Sequence, residues 1–350
     1  MYYLIAILGF GILIMVHELG HFLAAKANRV KVLEFSIGMG PLLWHTRKGE
    51  TEYSLRALPV GGYCAMEGED GDSDDPRAFV NQKFWVKLVI LVAGSVMNFL
   101  LGFVLVGLVF CGASGFNAAT IDHFEPGCPY EGDLLPGDTL YAVNGERIYF
   151  SGNFSEYVGR GAGDGTIDLV VKRGGQKVTL DDYPMVPVEY TLEDGSTVTM
   201  YGLYFAPEPM TFGSWLRYTW WSCLDFVRMV RLGLSDLFSG NAGVDDMTGA
   251  VGMVVMISEM GQSAPTVRQG LENIGYMVAF IAVNLSVMNM LPIPALDGGR
   301  VFTLLLGTLW EKLSGKKPDP RIESYVHAAG MICLLALIGY IMYNDIVKIL

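Results

Sequence analysis

The chain has 350 residues, of which 51% are hydrophobic and only 17% charged, and its formal net charge is −12. Soluble domains average about 25% charged residues, so an ordinary water-soluble globule is excluded, and the acidic balance excludes nucleic acid as a partner. Five cysteines (Cys64, Cys111, Cys128, Cys223, Cys333) have no paired spacing, which rules out a disulfide framework and a thiolate metal site.

The missing charge is concentrated in apolar runs. The first, residues 1–25, contains no Lys or Arg, and a membrane-spanning helix needs about 20 such residues. It has no basic leader and no small-residue cleavage site, so residues 1–26 are read as a retained span and not a secretory signal. Within it stands His17-Glu18-Leu19-Gly20-His21. Residues four apart share a helical face, so His17 and His21 can hold one ion, with Glu18 beside it to accept a proton from water. Ionisable groups at membrane depth cost on the order of 2.5–3.5 kcal/mol each, which points to function. The plainer alternative, two histidines locking helices together, explains neither Glu18 nor the spacing.

Residues 27–84 follow as a cytoplasmic-side loop. Alternation over 32–37 and 52–58 predicts a β-hairpin, and residues 67–75 read as an acidic solvated loop. An unpaired hairpin edge near the metal would hold an extended substrate by strand addition; a simple cytoplasmic hairpin fits the alternation equally well. Residues 85–112 predict the second span. Residues 113–206 are acidic, with Asp122, Glu125, Glu131, Asp133 and Asp138, and carry turns at Pro136-Gly137-Asp138 and Asn144-Gly145 between short alternating runs, so they read as a separate α+β domain.

In residues 207–268, the segment 212–238 mixes Trp215, Trp220 and Trp221 with Arg217, Asp225 and Arg228, which fits an interfacial amphipathic helix, with a fifth span as the alternative. Residues 269–350 hold a third span near 275–291 and a fourth near 328–343. The third runs into Pro292 and Pro294, which break helical hydrogen bonding, and Asp297-Gly298-Gly299 follows. A catalytic zinc centre needs three protein ligands and an open position. Asp297 is the candidate third ligand; capping of the next helix is the competing reading. Asn284 and Asn289 lie five apart on the apolar run, where helix–helix hydrogen bonding would account for them.

Basic residues crowd the loop after the first span (Lys26, Arg29, Lys31, Arg47, Lys48, Arg56) and the one before the last (Lys312, Lys316, Lys317, Arg321). The positive-inside tendency puts both loops in the cytoplasm and the acidic domain outside. The expected fold is an α-helical polytopic membrane protein of about four transmembrane helices, with the hairpin and one inserted domain.

The two motifs together resemble the site-2 protease family of intramembrane zinc metalloproteases, in its bacterial regulator-of-sigma-E protease branch. Phe35-Ser36-Ile37-Gly38-Met39-Gly40-Pro41 and Leu58-Pro59-Val60-Gly61-Gly62-Tyr63 are similar to that family's membrane-associated β-hairpin. Gly94-Ser95-Val96-Met97-Asn98 is similar to its second helix with Ser95 in place of Pro, and 246–252 to the segment before its third span. Residues 134–148 resemble a bacterial PDZ domain.

The resemblance implies Zn2+ held by His17, His21 and Asp297, with Glu18 as catalytic base and Asn284 and Asn289 touching substrate. It implies a multi-pass protein of the bacterial cell membrane with its active site toward the cytoplasm and an extracytoplasmic PDZ domain, acting as size filter or peptide binder. It further implies single-span membrane proteins as substrates, cleaved within the lipid bilayer, such as anti-sigma factors or remnant signal peptides. The alternative from another class is a non-catalytic membrane scaffold recruiting partners through the PDZ domain, which would have no need of Glu18.

Overall fold

Every apolar run becomes a helix, the one open structure that satisfies its own backbone hydrogen bonds in lipid. The computed structural model describes residues 2–69, 71–161, 165–191, 195–316 and 320–349. Its helices are α1 (Tyr2–Ala27), α2 (Phe84–Phe110), α3 (Ser151–Gly161), α4 (Phe212–Ser239), α5 (Ala250–Gln262), α6 (Val267–Asn289), α7 (Asp297–Ser314) and α8 (Pro320–Ile349). The strands begin with β1 (Val32–Lys48) and β2 (Thr51–Met66). They continue as β3 (Gly115–Phe116), β4 (Ile121–Phe124), β5 (Thr139–Val143), β6 (Glu146–Arg147), β7 (Thr166–Arg173), β8 (Gln176–Pro184), β9 (Val188–Thr191), β10 (Thr197–Met200), β11 (Leu203–Phe205) and β12 (Glu208–Pro209). Asp70 of the acidic loop and Lys317 of the last basic loop lie outside the described residues.

Among the described residues, four helices are long and apolar enough to cross a membrane: α1, α2, α6 and α8 from Tyr325 to Lys348. The third begins earlier than its apolar run because Arg268, Gln269 and Glu272 occupy its first turns. Thr266 starts it, its Oγ1 accepting the Gln269 N–H at 3.2 Å. The fourth likewise exceeds its apolar run at both ends. Helix α4, with Arg217, Asp225, Arg228, Arg231 and Asp236 along its 28 residues, is not among the four, so the fifth-span alternative finds no support.

The chain divides into two compact units, Met1–Val109 with Phe226–Leu350, and Phe110–Asp225. In the first, α1, α5 and α6 share an apolar core of Ala6, Leu13, Ile257, Ile274, Ile281 and Ala282. Small residues let the spans approach closely. A methyl group on Gly20 of α1 would lie 2.4 Å from the Ala93 carbonyl of α2, and one on Gly102 of α2 would lie 2.6 Å from Val283 of α6. Ser286 of α6 donates to the Ser95 carbonyl of α2 at 2.7 Å. Leu4, Leu8 and Ile12 on α1 and Val96, Leu100, Val104 and Leu108 on α2 stay exposed, a burden in water and none against lipid.

The hairpin is longer than its alternation predicts and pairs twice. Residues 32–37 lie between 62–66 and 52–55, while 42–48 pair with 51–56; Glu34 faces both Ala65 and Glu52. Its inner face (Val32, Phe35, Cys64, Met66) packs on Ala25, Ile90 and Leu91 of α1 and α2.

The second unit is built on an antiparallel sheet of order β6-β5-β7-β8, with β4 paired to β11, β9 to β10 and β3 to β12. Asn144 and Gly145, both at positive φ (48° and 80°), make the tight β5–β6 turn. Helix α3 turns Phe154, Tyr157 and Val158 into a core with Leu140, Val143, Leu169 and Val171. Asp138 is buried at 1% exposure and accepts from Arg173 Nε at 2.9 Å, Arg173 Nη2 at 2.7 Å and the Leu135 N–H at 3.0 Å. Burial pushes the Asp138 carboxyl up, but these bonds outweigh it and hold the group below the usual carboxylate range.

Candidate metal centre

His17 and His21 lie one turn apart on α1, on the face that continues through Leu13 and Gly20, and both are buried. Helix α2 reaches them through Gly94, where a methyl group would stand 2.4 Å from His21 Nε2, 2.7 Å from His17 Cε1 and 2.8 Å from His17 Nε2. Only a residue without a side chain fits there. Small residues on α1 (Gly20) and α2 (Gly94) thus set the depth at which the imidazoles sit between the helices.

Asp297 arrives from the far end of the sequence. Helix α6 ends at Asn289, and the proline-containing segment turns the chain back into α7, with Ala295 at φ 82°. The Ala295 N–H donates to His327 Nδ1 of α8 at 3.2 Å. Gly298 and Gly299 press against the Met290, Leu291 and Ile293 carbonyls, leaving no room for a Cβ. Arg300, one turn further, is paired with Glu69 beyond β2 at 2.5 Å. Helix α7 is preceded by Leu296 as its N-cap, with no side-chain capping bond, and Asp297 turns its carboxylate to the histidines instead. The capping alternative is therefore not what the chain adopts.

Asp297 Oδ2 stands 3.0 Å from His17 Nε2 and 3.3 Å from His21 Nε2, and the two Nε2 atoms are 3.1 Å apart. With bonds of about 2.0–2.1 Å, ligand atoms of a tetrahedral zinc ion stand about 3.3 Å from one another. The triangle has the size that such an ion requires. Its tautomer is set on one side: His21 Nδ1 donates to the Ile90 carbonyl of α2 at 2.8 Å, leaving Nε2 with its lone pair. Asp297 Oδ2 is buried with no well-aligned hydrogen-bond donor, the condition of an acceptor oriented for a cation.

Glu18 lies between this triangle and the hairpin, its Oε2 accepting the Cys64 N–H at 3.1 Å. Cys64 belongs to residues 62–66, an outer strand of the doubly paired hairpin, so the amide that holds Glu18 comes from an open edge. Burial pushes the Cys64 thiol up to about 12.

Asn284 is half-buried on α6, its Oδ1 enclosed and without a partner, and Asn289 is the last residue of that helix. Among the described residues, neither side chain hydrogen-bonds another helix, so the helix-locking reading gains nothing.

Four participants escaped the sequence reading as site residues: Gly94, the Ile90 carbonyl, the Cys64 amide and Asn98, whose amide nitrogen is 3.5 Å from His17 Nδ1. The backbone groups carry no residue-type signal. Gly94 and Asn98 do, as a pair four apart on one face of an otherwise apolar span.

The sequence matches the Peptidase family M50 profile over residues 5–337. It is similar to a protein named a zinc metalloprotease in Clostridium acetobutylicum, 35% identical over 98% of this chain and 96% of that one. A Clostridium perfringens protein of the same description is 32% identical over 99% of both chains. The regulator of sigma-W protease RasP of Bacillus subtilis is 26% identical over 97% of each.

Proposed function

This chain belongs to peptidase family M50, and from that premise we propose that it is a zinc endopeptidase cutting the transmembrane segments of other membrane proteins. The observation that carries the reading is the convergence of His17 Nε2, His21 Nε2 and Asp297 Oδ2, at 3.0–3.3 Å from one another, beside Glu18 within the helical unit. The donor set of two imidazoles and a carboxylate suits zinc.

Bound there, zinc supplies Lewis acidity, acidifying water and polarising the scissile carbonyl. The chain's own residues do the rest. Glu18 Oε2, aimed by the Cys64 N–H, takes a proton from the attacking water and returns it to the leaving amine. The hydrogen bond from His21 to Ile90 keeps that imidazole a neutral ligand through the cycle. The open edge at residues 62–66 would hold substrate as an added strand, exposing a peptide bond that a helix conceals. Asn284, with an enclosed and unpartnered Oδ1 on the same span that leads to Asp297, fits a substrate-contacting role, and Asn289 would act next to it.

We read the substrates as single-span membrane proteins: anti-sigma factors, in line with the name of the Bacillus regulator of sigma-W protease, or remnant signal peptides, as the family resemblance implies. The chain would lie in a bacterial cell membrane with its basic loops, and hence the metal, toward the cytoplasm. The unit Phe110–Asp225 is read as an extracytoplasmic PDZ domain; its sheet, helix α3 and the cavity beside α3 lined by Phe154, Tyr201, Leu203 and Phe205 favour that reading. A scaffold without catalysis would have no use for Glu18.

Metal analysis of the purified protein tests the site. One zinc per chain in the wild type and a large loss in Asp297→Ala are expected; equal zinc in both would remove Asp297 from the ligand set.

A further inference from the structure

His17 has two ring nitrogens, and the metal triangle uses only one. Nε2 faces Asp297 and His21, so a metal-bound His17 must carry its proton on Nδ1. An N–H enclosed among apolar helices needs an acceptor, because leaving it unpaired costs about 1–3 kcal/mol. For His21 the acceptor is the Ile90 carbonyl. The hydrogen-bonding group that faces His17 Nδ1 is the side-chain amide of Asn98, at 3.5 Å.

Asn98 is fully buried on α2, one turn beyond Gly94 and on the same face. Its Nδ2 is the atom directed at His17, and its Oδ1 is buried with no hydrogen-bond partner. In that arrangement the amide donates to a bare Nδ1, which belongs to a His17 protonated on Nε2. The two ends of a carboxamide are nearly the same size, so a half-turn about its last bond exchanges them without disturbing the packing. That exchange directs the orphaned Oδ1 at Nδ1 and matches the tautomer in which Nε2 is free for the ion.

Resting on the reading of the triangle as a zinc site, we infer that Asn98 is the positioning residue of His17: its carbonyl accepts the Nδ1–H and holds His17 in the metal-binding tautomer. The two histidines are then served alike by the same helix, one by a backbone carbonyl and one by a side chain. Asn98 touches neither the ion nor the substrate and acts through His17 alone.

The test compares zinc affinity of the full-length protein in detergent micelles, by competition with a fluorescent chelator, for wild type, Asn98→Leu and Asn98→Asp. Leu keeps the volume and removes the acceptor; Asp keeps an acceptor and removes the donor. Losing the outer partner of a ligating histidine weakens metal binding by about 10–100-fold, so Asn98→Leu should fall by that factor while Asn98→Asp stays within a few-fold of wild type. Wild-type affinity in Asn98→Leu overturns the inference. So does an equal loss in both variants, which would make Asn98 a donor or a packing residue. If the wild type itself takes up no zinc, the reading of the triangle fails first, an outcome distinct from both.

Discussion

Gly94 of α2 faces His21 of α1 so closely that a single added methyl group would stand 2.4 Å from the imidazole Nε2. The contact is with the atom aimed at Asp297, so nothing wider than hydrogen can occupy the position without moving a ligand. Overpacking of this kind costs about 1–3 kcal/mol, and here the strain falls on the ligand geometry. Gly94→Ala should lower bound zinc by roughly tenfold or more. In Gly159→Ala on α3, where a Cβ meets nothing within 4 Å, zinc content should stay unchanged and the unfolding temperature should not fall. Zinc analysis of the two variants side by side checks this.

The sequence exposes one half of this contact and conceals the other. His17 and His21 are legible because helical spacing alone puts residues four apart on one face, and Asp297 because Pro292 and Pro294 must interrupt a helix. Gly94 looks like any small residue in a span, and its meaning depends on which helix it meets. The hairpin was legible over 32–37 and 52–58, where polar and apolar residues roughly alternate along the chain. It was hidden over 39–48, where nearly every residue is exposed and no period results. The start of α6 was obscured for a related reason: polar first turns dilute hydropathy without interrupting a helix. The unit Phe110–Asp225 announced its β5–β6 turn through Asn144-Gly145, while the pairing of β4 with β11, some 80 residues apart, had no local signal.

The ion pair between Arg300 and Glu69 ties the first turn of α7 to the chain leaving the hairpin. Glu69 Oε2 also accepts the Met66 N–H at 3.3 Å, so the pair connects the Asp297 helix with the strand whose edge holds Glu18. Arg300→Gln and Glu69→Gln should each reduce substrate cleavage several-fold, and the double variant should be little worse than either. Coupled residues of this kind interact by about 0.5–3 kcal/mol. Strictly additive losses in a double-mutant cycle would show that the contact does not join the two elements.

Asp138 gives the second unit a defined response to acid. Its folded carboxyl is held below the unfolded value, which is about 3.9, by Arg173 and the Leu135 N–H. Folding is therefore favoured by the ionised form. The contribution is complete above the unfolded value and is lost as pH falls through the lower folded one. Hydrogen exchange of the β5 and β7 amides should quicken in that acid range in the wild type. Asp138→Asn should already exchange faster at neutral pH, by about 1.5–3 kcal/mol of lost stability, with a flatter response below pH 5.

The central claim is that Glu18 moves the proton at a zinc centre made by His17, His21 and Asp297, and it is tested most directly by Glu18→Gln. Glutamine keeps the shape and can still accept the Cys64 N–H through its carbonyl, yet it has no basic oxygen. Cleavage of a single-span substrate by protein reconstituted in lipid vesicles should be measured beside zinc content in the same preparations. The expected result is one zinc per chain in both proteins, with cleavage by the variant lower by about 10²–10⁴-fold. Wild-type cleavage by zinc-loaded Glu18→Gln would contradict it.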